Sequence, residues 1–162
     1  MRKILYISGT RADYGLMRNV LISIAKHPEL KIEIVVTGMH LMVEFGKTIN
    51  EVKKDKFKIH AVNSVYKNDD RGSMADFIGK FATGLTKKIK WIKPDMILVL
   101  GDRAEMLVGA IVGIFSGVPG RKPLQCLMIG MPLSSGIMAS ALALSSSRTA
   151  SVVEASNPTS SS

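Results

Sequence analysis

The sequence predicts an α/β fold, a Rossmann-like doubly wound parallel sheet, and three observations carry that expectation. Short apolar runs alternate with stretches of helical period, the first, second and fourth runs stop at a glycine, and 46% of the 162 residues are hydrophobic. That composition supplies a core for one domain, and strict alternation of strand and helix is what a parallel sheet with crossovers requires.

The elements follow in order. Lys3 to Ser8 (KILYIS) reads as a first strand ended by Gly9-Thr10. Leu16, Val20, Leu21 and Ile24 recur at helical spacing, which predicts a helix over Leu16 to Ala25. After His27-Pro28, Lys31 to Thr37 (KIEIVVT) is a β-branched second strand ending at Gly38, a helix is expected over Glu44 to Lys54, and Lys58 to Val62 is a third strand. A long helix over Met74 to Trp91 closes at Lys93-Pro94, Asp95 to Leu100 (DMILVL) is the most strand-like run, and Ala104 to Phe115 resumes the helix. Methionines 39, 42, 74, 96 and 106 fall in these apolar patterns and are assigned to the core.

The net charge of +9 by itself selects no partner. Lys47, Lys53, Lys54, Lys56 and Lys58 flank a helix-to-strand junction. Lys87, Lys88, Lys90 and Lys93 close a helix, where cations suit the negative end of the dipole. Both groups read as solvated faces. No aromatic interleaving accompanies them, so nucleic acid is not an expected partner. The single cysteine, Cys126, excludes an internal disulfide, and neither a signal peptide nor a zinc-type Cys/His cluster is evident, which points to the cytoplasm.

In a doubly wound sheet, ligands bind beyond the carboxyl ends of the strands, which directs attention to Gly9–Gly15, Gly38–Leu41 and Gly101–Arg103. Gly9-Thr10-Arg11-Ala12-Asp13-Tyr14-Gly15 sets an arginine and backbone N–H groups near a helix start, a good anion site, although it is neither GxGxxG nor a P-loop. The structural alternative is an Arg11–Asp13 ion pair within the loop. Gly101-Asp102-Arg103 places a carboxylate beside a guanidinium at a buried strand end, an arrangement that can tune a proton-transfer group. Its alternative is Asp102 as N-cap of the helix beginning at Ala104. His40 either faces the same cleft or is packed. Asp69-Asp70-Arg71-Gly72 reads as a flexible polar loop, with substrate contact as the alternative role.

Four motifs together resemble the hydrolysing UDP-N-acetylglucosamine 2-epimerases. They are Gly9 to Leu16 (GTRADYGL), Thr37 to Leu41 with Phe45-Gly46-Lys47-Thr48, Lys93-Pro94-Asp95, and Leu100 to Leu107 (LGDRAEML), in order across residues 1–119. The branch they resemble supplies N-acetylmannosamine, or related precursors, for sialic and legionaminic acids. The resemblance implies one of two Rossmann-like domains of a glycosyltransferase-B type enzyme, with a UDP-sugar held between them. It implies Arg11 and Arg103 on the UDP or pyrophosphate, Asp102 as an acid/base residue near C2, and Thr10, Asp13, Gly15 and His40 as further substrate-binding residues. It implies no cofactor, no metal and no membrane, and allows a homo-oligomer in the full-length family.

From Gly120 the character changes. Residues 120–162 contain one acid, Glu154, no histidine and no aromatic residue, and are rich in serine, where the resembled family continues into a histidine- and glycine-rich loop and a second domain. A shifted reading frame, a divergent or disordered terminus, and a membrane segment over Pro123 to Ser147 are the competing readings. A domain over 1–119 with an unrelated tail over 120–162 is therefore expected, inactive by itself because half the cleft is missing.

Overall fold

The computed structural model describes residues 1–66, 68, 70–116 and 125–129. Five strands, β1 (Arg2–Ser8), β2 (Leu30–Val36), β3 (Lys58–Ala61), β4 (Met96–Leu100) and β5 (Gln125–Ile129), form one sheet in the order β3-β2-β1-β4-β5. Every pairing is parallel. Helices α1 (Arg11–Lys26), α2 (Ile49–Lys54), α3 (Arg71–Ile92) and α4 (Ala104–Phe115) make the connections.

The two-residue period of the strands sorts side chains onto two helical layers. Ile4 and Tyr6 of β1, with Ile32, Ile34 and Val36 of β2, pack against Tyr14, Met17 and Leu21 of α1 and Val52 of α2. Leu5 and Ile7, with Ile97 and Val99 of β4, pack against Phe77, Phe81, Leu85 and Ile89 of α3 and Met106, Val108 and Val112 of α4. Near-continuous apolar strands are thus covered on both faces, as the alternation predicts. β1 to β2 to β3 proceeds in one direction across the sheet, and β4 lies on the other side of β1. The strand order reverses between β1 and β4, and this switch point opens the crevice where the loops after these strands meet.

The structure departs from the sequence reading in four places. First, α1 starts at Arg11 rather than Leu16, because Thr10 caps it and Asp13 returns the bond to the cap backbone, a capping box. Second, the helix expected over Glu44 to Lys54 is reduced to Ile49–Lys54. Short 3₁₀ turns over Gly38–Leu41 and Val43–Phe45 precede it. Left-handed backbone at Gly46 (φ 77°) and Lys47 (φ 47°) interrupts the helical path. Third, the polar run before α3 is a helix start: the Asp70 carboxylate accepts from Ser73 N at 2.8 Å and from Ser73 Oγ at 3.0 Å, which holds its acid below the usual range. Arg71 and Gly72 lie in the first turn, and Asp69 lies outside the described residues. Fourth, β5 arises within residues 120–162, from Gln125–Ile129, and pairs with β4 from Met96↔Gln125 to Leu100↔Ile129. The reading of Pro123 to Ser147 as a membrane segment otherwise lies outside the described residues; among those described, no helix is long and apolar enough to cross a membrane.

Candidate functional site

The residues after β1, β2 and β4 meet at the switch point, and Asp13 is the centre of their bonding. Its Oδ2 accepts from Gly9 N (3.0 Å), Thr10 N (2.8 Å) and Thr10 Oγ1 (3.1 Å). Its Oδ1 accepts from Ser8 Oγ and from Tyr6 OH, the latter at 3.3 Å. The N–H groups of Gly9 and Thr10, which the sequence offered to an anion, are therefore already engaged. The alternative of an Arg11–Asp13 ion pair does not hold: Asp13 is 7% exposed and turned inward, while Arg11 Nε reaches Glu51 of α2 at 3.0 Å. Burial, with the Asp13 charge adding to it, pushes the Tyr6 phenol far above its ordinary range, so it stays a donor.

His40 joins this network from the 3₁₀ turn after β2. It is fully buried, with Nε2 2.8 Å from Ser8 Oγ and Nδ1 2.8 Å from Thr48 Oγ1. The proton directions follow from the acceptors. A carboxylate only accepts, so the single Ser8 hydroxyl proton goes to Asp13, and Ser8 Oγ accepts from His40 Nε2–H. Burial depresses the imidazole pKa below its usual 6.5, although Asp13 and Glu51 oppose this. In the neutral ring, Nδ1 then accepts from Thr48 Oγ1–H. Asp13, Ser8, His40 and Thr48 thus form a directed chain joining α1, β1, the turn after β2 and the approach to α2. His40 is positioned to brace the site rather than to reach solvent.

At the third corner, Gly101 takes a left-handed conformation (φ 96°), and Asp102 and Arg103 project exposed at the start of α4. The N-cap of α4 is Arg103, with no side-chain cap bond, so the capping alternative for Asp102 does not hold. Asp102 remains available to solvent or ligand.

Behind this exposed pair sits an acid that the sequence reading had not assigned to the site. Glu105, in the first turn of α4, is 2% exposed. A Cβ on Gly9 would lie 2.6 Å from its Oε1, and a Cβ on Gly38 2.8 Å, so both positions require glycine for the carboxyl to occupy its place. Among the described residues Oε1 has no hydrogen-bond partner, and Oε2 lies 3.6 Å from Arg103 Nε. Burial pushes the carboxyl up, its own backbone N–H and then Arg103 pull it down, and the Asp13 charge pushes it further up, leaving it above the usual 4.5. The signal was present in the sequence as the only acid within the otherwise apolar Ala104–Phe115 helix.

Gly15 lies on an exposed part of α1 with nothing near where a Cβ would stand. With Arg11, Tyr14, Arg18, Glu51, Lys54 and Asp55 it lines a cleft of about 420 Å³ between α1 and α2. Tyr14 OH donates to Asp55 Oδ2 at 2.6 Å, and Arg18 Nε does so at 2.7 Å, so the far end of this cleft is internally neutralised. The structure therefore gathers Thr10, Asp13 and His40 into one buried network through Ser8. It leaves Arg11, Asp102 and Arg103 as the exposed charged groups at the loop ends. No group of three or more His, Cys, Asp or Glu among the described residues is placed to hold a metal ion.

The chain is similar to known proteins in both sequence and fold. The family model described as UDP-N-acetylglucosamine 2-epimerase matches residues 22–120. A UDP-N,N'-diacetylbacillosamine 2-epimerase (hydrolyzing) of Legionella pneumophila is 45% identical over 120 residues, covering 74% of this chain and 32% of the relative. A UDP-N-acetylglucosamine 2-epimerase of Neisseria meningitidis serogroup B is 38% identical over 117 residues, covering 72% of this chain and 30% of the relative. The chain thus spans about a third of the length of these relatives. Among solved structures, the Neisseria meningitidis UDP-GlcNAc 2-epimerase bound to UDP-GlcNAc superposes with a TM-score of 0.60 at 18% identity, covering 82% of this chain and 34% of that one. The Methanocaldococcus jannaschii UDP-GlcNAc 2-epimerase in complex with UDP-GlcNAc and UDP superposes with a TM-score of 0.59 at 20% identity, covering 77% and 32%. The fold is the Rossmann-like half of that two-domain architecture, and the chain belongs to the UDP-N-acetylglucosamine 2-epimerase family.

Proposed function

We propose that this chain forms one wall of the UDP-sugar site of a hydrolysing 2-epimerase, which converts a UDP-2-acetamido sugar to the free 2-epimer and UDP. The observation that carries the reading is the exposed set Arg11, Asp102 and Arg103 on loops after β1 and β4, backed by buried bonding that fixes those loops. Arg11 and Arg103 bind the pyrophosphate, whose charge grows as the C1–O bond breaks. Asp102 moves the proton at C2. Loss of that proton and departure of UDP from C1 leave an unsaturated sugar, and addition of water across the double bond gives the free epimer. Neither a metal nor a nicotinamide takes part. Thr10, Asp13 and His40 hold the first two loops in place, and Gly15 keeps the side of the cleft next to Arg11 open.

The similarity to the Legionella protein favours a diacetamido sugar over plain N-acetylglucosamine. A second reading is a uridine-nucleotide or anion binder, carried by the exposed guanidinium groups of Arg11 and Arg103. Residues 1–119 carry the binding groups on this view, with a cytoplasmic location and a homo-oligomeric full-length form.

Calorimetry with UDP tests the reading. Arg11 is paired only with a half-exposed Glu51, an ion pair worth little to the fold. Arg11→Ala should therefore leave stability nearly unchanged, yet weaken UDP binding by about 1.5–3 kcal/mol through a lost charge-assisted bond. Equal affinity in both proteins would remove Arg11 from the site. In a two-domain form, Asp102→Asn should lower turnover roughly 10²-fold or more with little change in melting temperature; near-normal C2 proton exchange would remove Asp102 from the mechanism.

A further inference from the structure

Glu105 has features that the proposed roles of Arg11, Asp102 and Arg103 leave unexplained. An acidic side chain 2% exposed in an otherwise apolar helix is costly unless something requires it, and one of its oxygens lacks any partner. Ordinary core packing would be served better by leucine or methionine of similar volume. Two glycines face it: a Cβ at 9 would lie 2.6 Å from its Oε1 and one at 38 would lie 2.8 Å away, although 38 also takes a left-handed backbone (φ 56°) that favours glycine. The carboxyl is thereby wedged among the three loop ends of the site, after β1, β2 and β4.

What the wedge touches on its open side is Arg103. The Glu105 Oε2 to Arg103 Nε distance is 3.6 Å, and the arginine side chain is 41% exposed. A guanidinium presents donors at Nε and at two Nη groups in a fixed plane, so fixing the Nε edge fixes the direction of the rest. Among the described residues, no partner is recorded for the Nη groups of Arg103.

We propose that Glu105 is a positioning residue for Arg103: braced against the bare backbones of Gly9 and Gly38, it engages the Nε edge of the guanidinium and leaves the Nη pair for a phosphate of the bound nucleotide. The inference rests on the UDP-sugar reading for the identity of that phosphate, whereas the Glu105–Arg103 contact stands without it. An arginine held in this way loses less freedom on binding than one that must be ordered by the ligand.

Two measurements on the 162-residue chain test this. The first needs no ligand. In ¹H–¹⁵N spectra the Arg103 Nε–Hε resonance is assigned by its disappearance in Arg103→Lys, and Glu105→Gln, which keeps the size of the side chain, should shift it and speed its exchange with solvent. An unmoved Arg103 resonance in a folded Glu105→Gln protein overturns the proposal. The second is calorimetry with UDP and with uridine. Glu105→Gln should weaken UDP binding about tenfold and leave uridine binding unchanged, and in an Arg103→Ala background it should have no further effect. An equal loss in that background, or an equal loss for uridine, shows that Glu105 acts through the fold at large and overturns the proposal. Failure of the unaltered chain to bind UDP would overturn the nucleotide reading instead, and the Arg103 resonance would still decide the role of Glu105.

Discussion

Replacing Asp13 by alanine should cost this fold more than any change among its exposed site residues, and the magnitude follows from the donors left behind. Five donors converge on the carboxylate. Three are hydroxyls that can turn to other acceptors: Tyr6 OH already lies 3.2 Å from Asp13 O, and Ser8 Oγ lies 3.4 Å from Thr10 O. The other two, Gly9 N–H and Thr10 N–H, are buried, belong to the main chain and cannot turn. An orphaned buried donor costs about 1–3 kcal/mol, which gives about 2–6 kcal/mol for the pair. A domain stability of about 5–15 kcal/mol leaves little margin for such a loss. Asp13→Asn keeps the shape and can direct its amide oxygen to both N–H groups and its NH₂ to the Ser8 and Tyr6 oxygens. It should lose only charge assistance, about 1–2 kcal/mol. Urea unfolding followed by circular dichroism measures both. With a slope of about 2 kcal/mol per molar, Asp13→Ala should shift the midpoint down by roughly 1–3 M. An alanine variant within about 0.5 kcal/mol of the parent, or an asparagine variant as damaged as alanine, would refute the argument that the two fixed N–H groups set the cost.

Two further substitutions address the same loops. Because His40 is harder to protonate folded than unfolded, the unfolded chain binds more protons once the pH falls below about 6.5, so stability should decline below that pH until the depressed folded value is passed. His40→Gln retains a donor toward Ser8 and should flatten this part of the profile, and an unchanged slope in a pH series of melting curves would place the titration elsewhere. Gly15 sits in a helix with open space where a Cβ would stand, so Gly15→Ala should stabilise the chain by about 0.5–1 kcal/mol, roughly 1–4 °C. The same change should weaken UDP binding; a gain in stability with full affinity would show that the glycine keeps no room for ligand.

The amino-acid sequence by itself determined the layer architecture. The run Asp95 to Leu100 is apolar on both alternating faces past its first residue, and a parallel sheet covered on both sides buries such a strand. It also determined where a ligand would bind, because the carboxyl ends of β1, β2 and β4 in this topology converge whatever residues they carry. The start of α1 was written there too, in Thr10 and Asp13, but the exposed Arg11 between them reads equally as loop chemistry until the bonds are seen. Tertiary structure alone decided which polar residues face inward. Asp13, His40 and Glu105 are of types ordinarily found at the surface, and their burial depends on partners distant in sequence: His40 on Ser8 and Thr48, Glu105 on the missing side chains of Gly9 and Gly38. Arg11 and Asp102 could each have been spent locally, on Asp13 and on the α4 cap, since both bonds are short in sequence. Packing of α2 beside α1 gave Arg11 to Glu51, and the extended backbone at Arg103 left Asp102 outside the helix start. Local pattern sets which bonds are within reach, and the competition among them is settled by which donors and acceptors the fold removes from water.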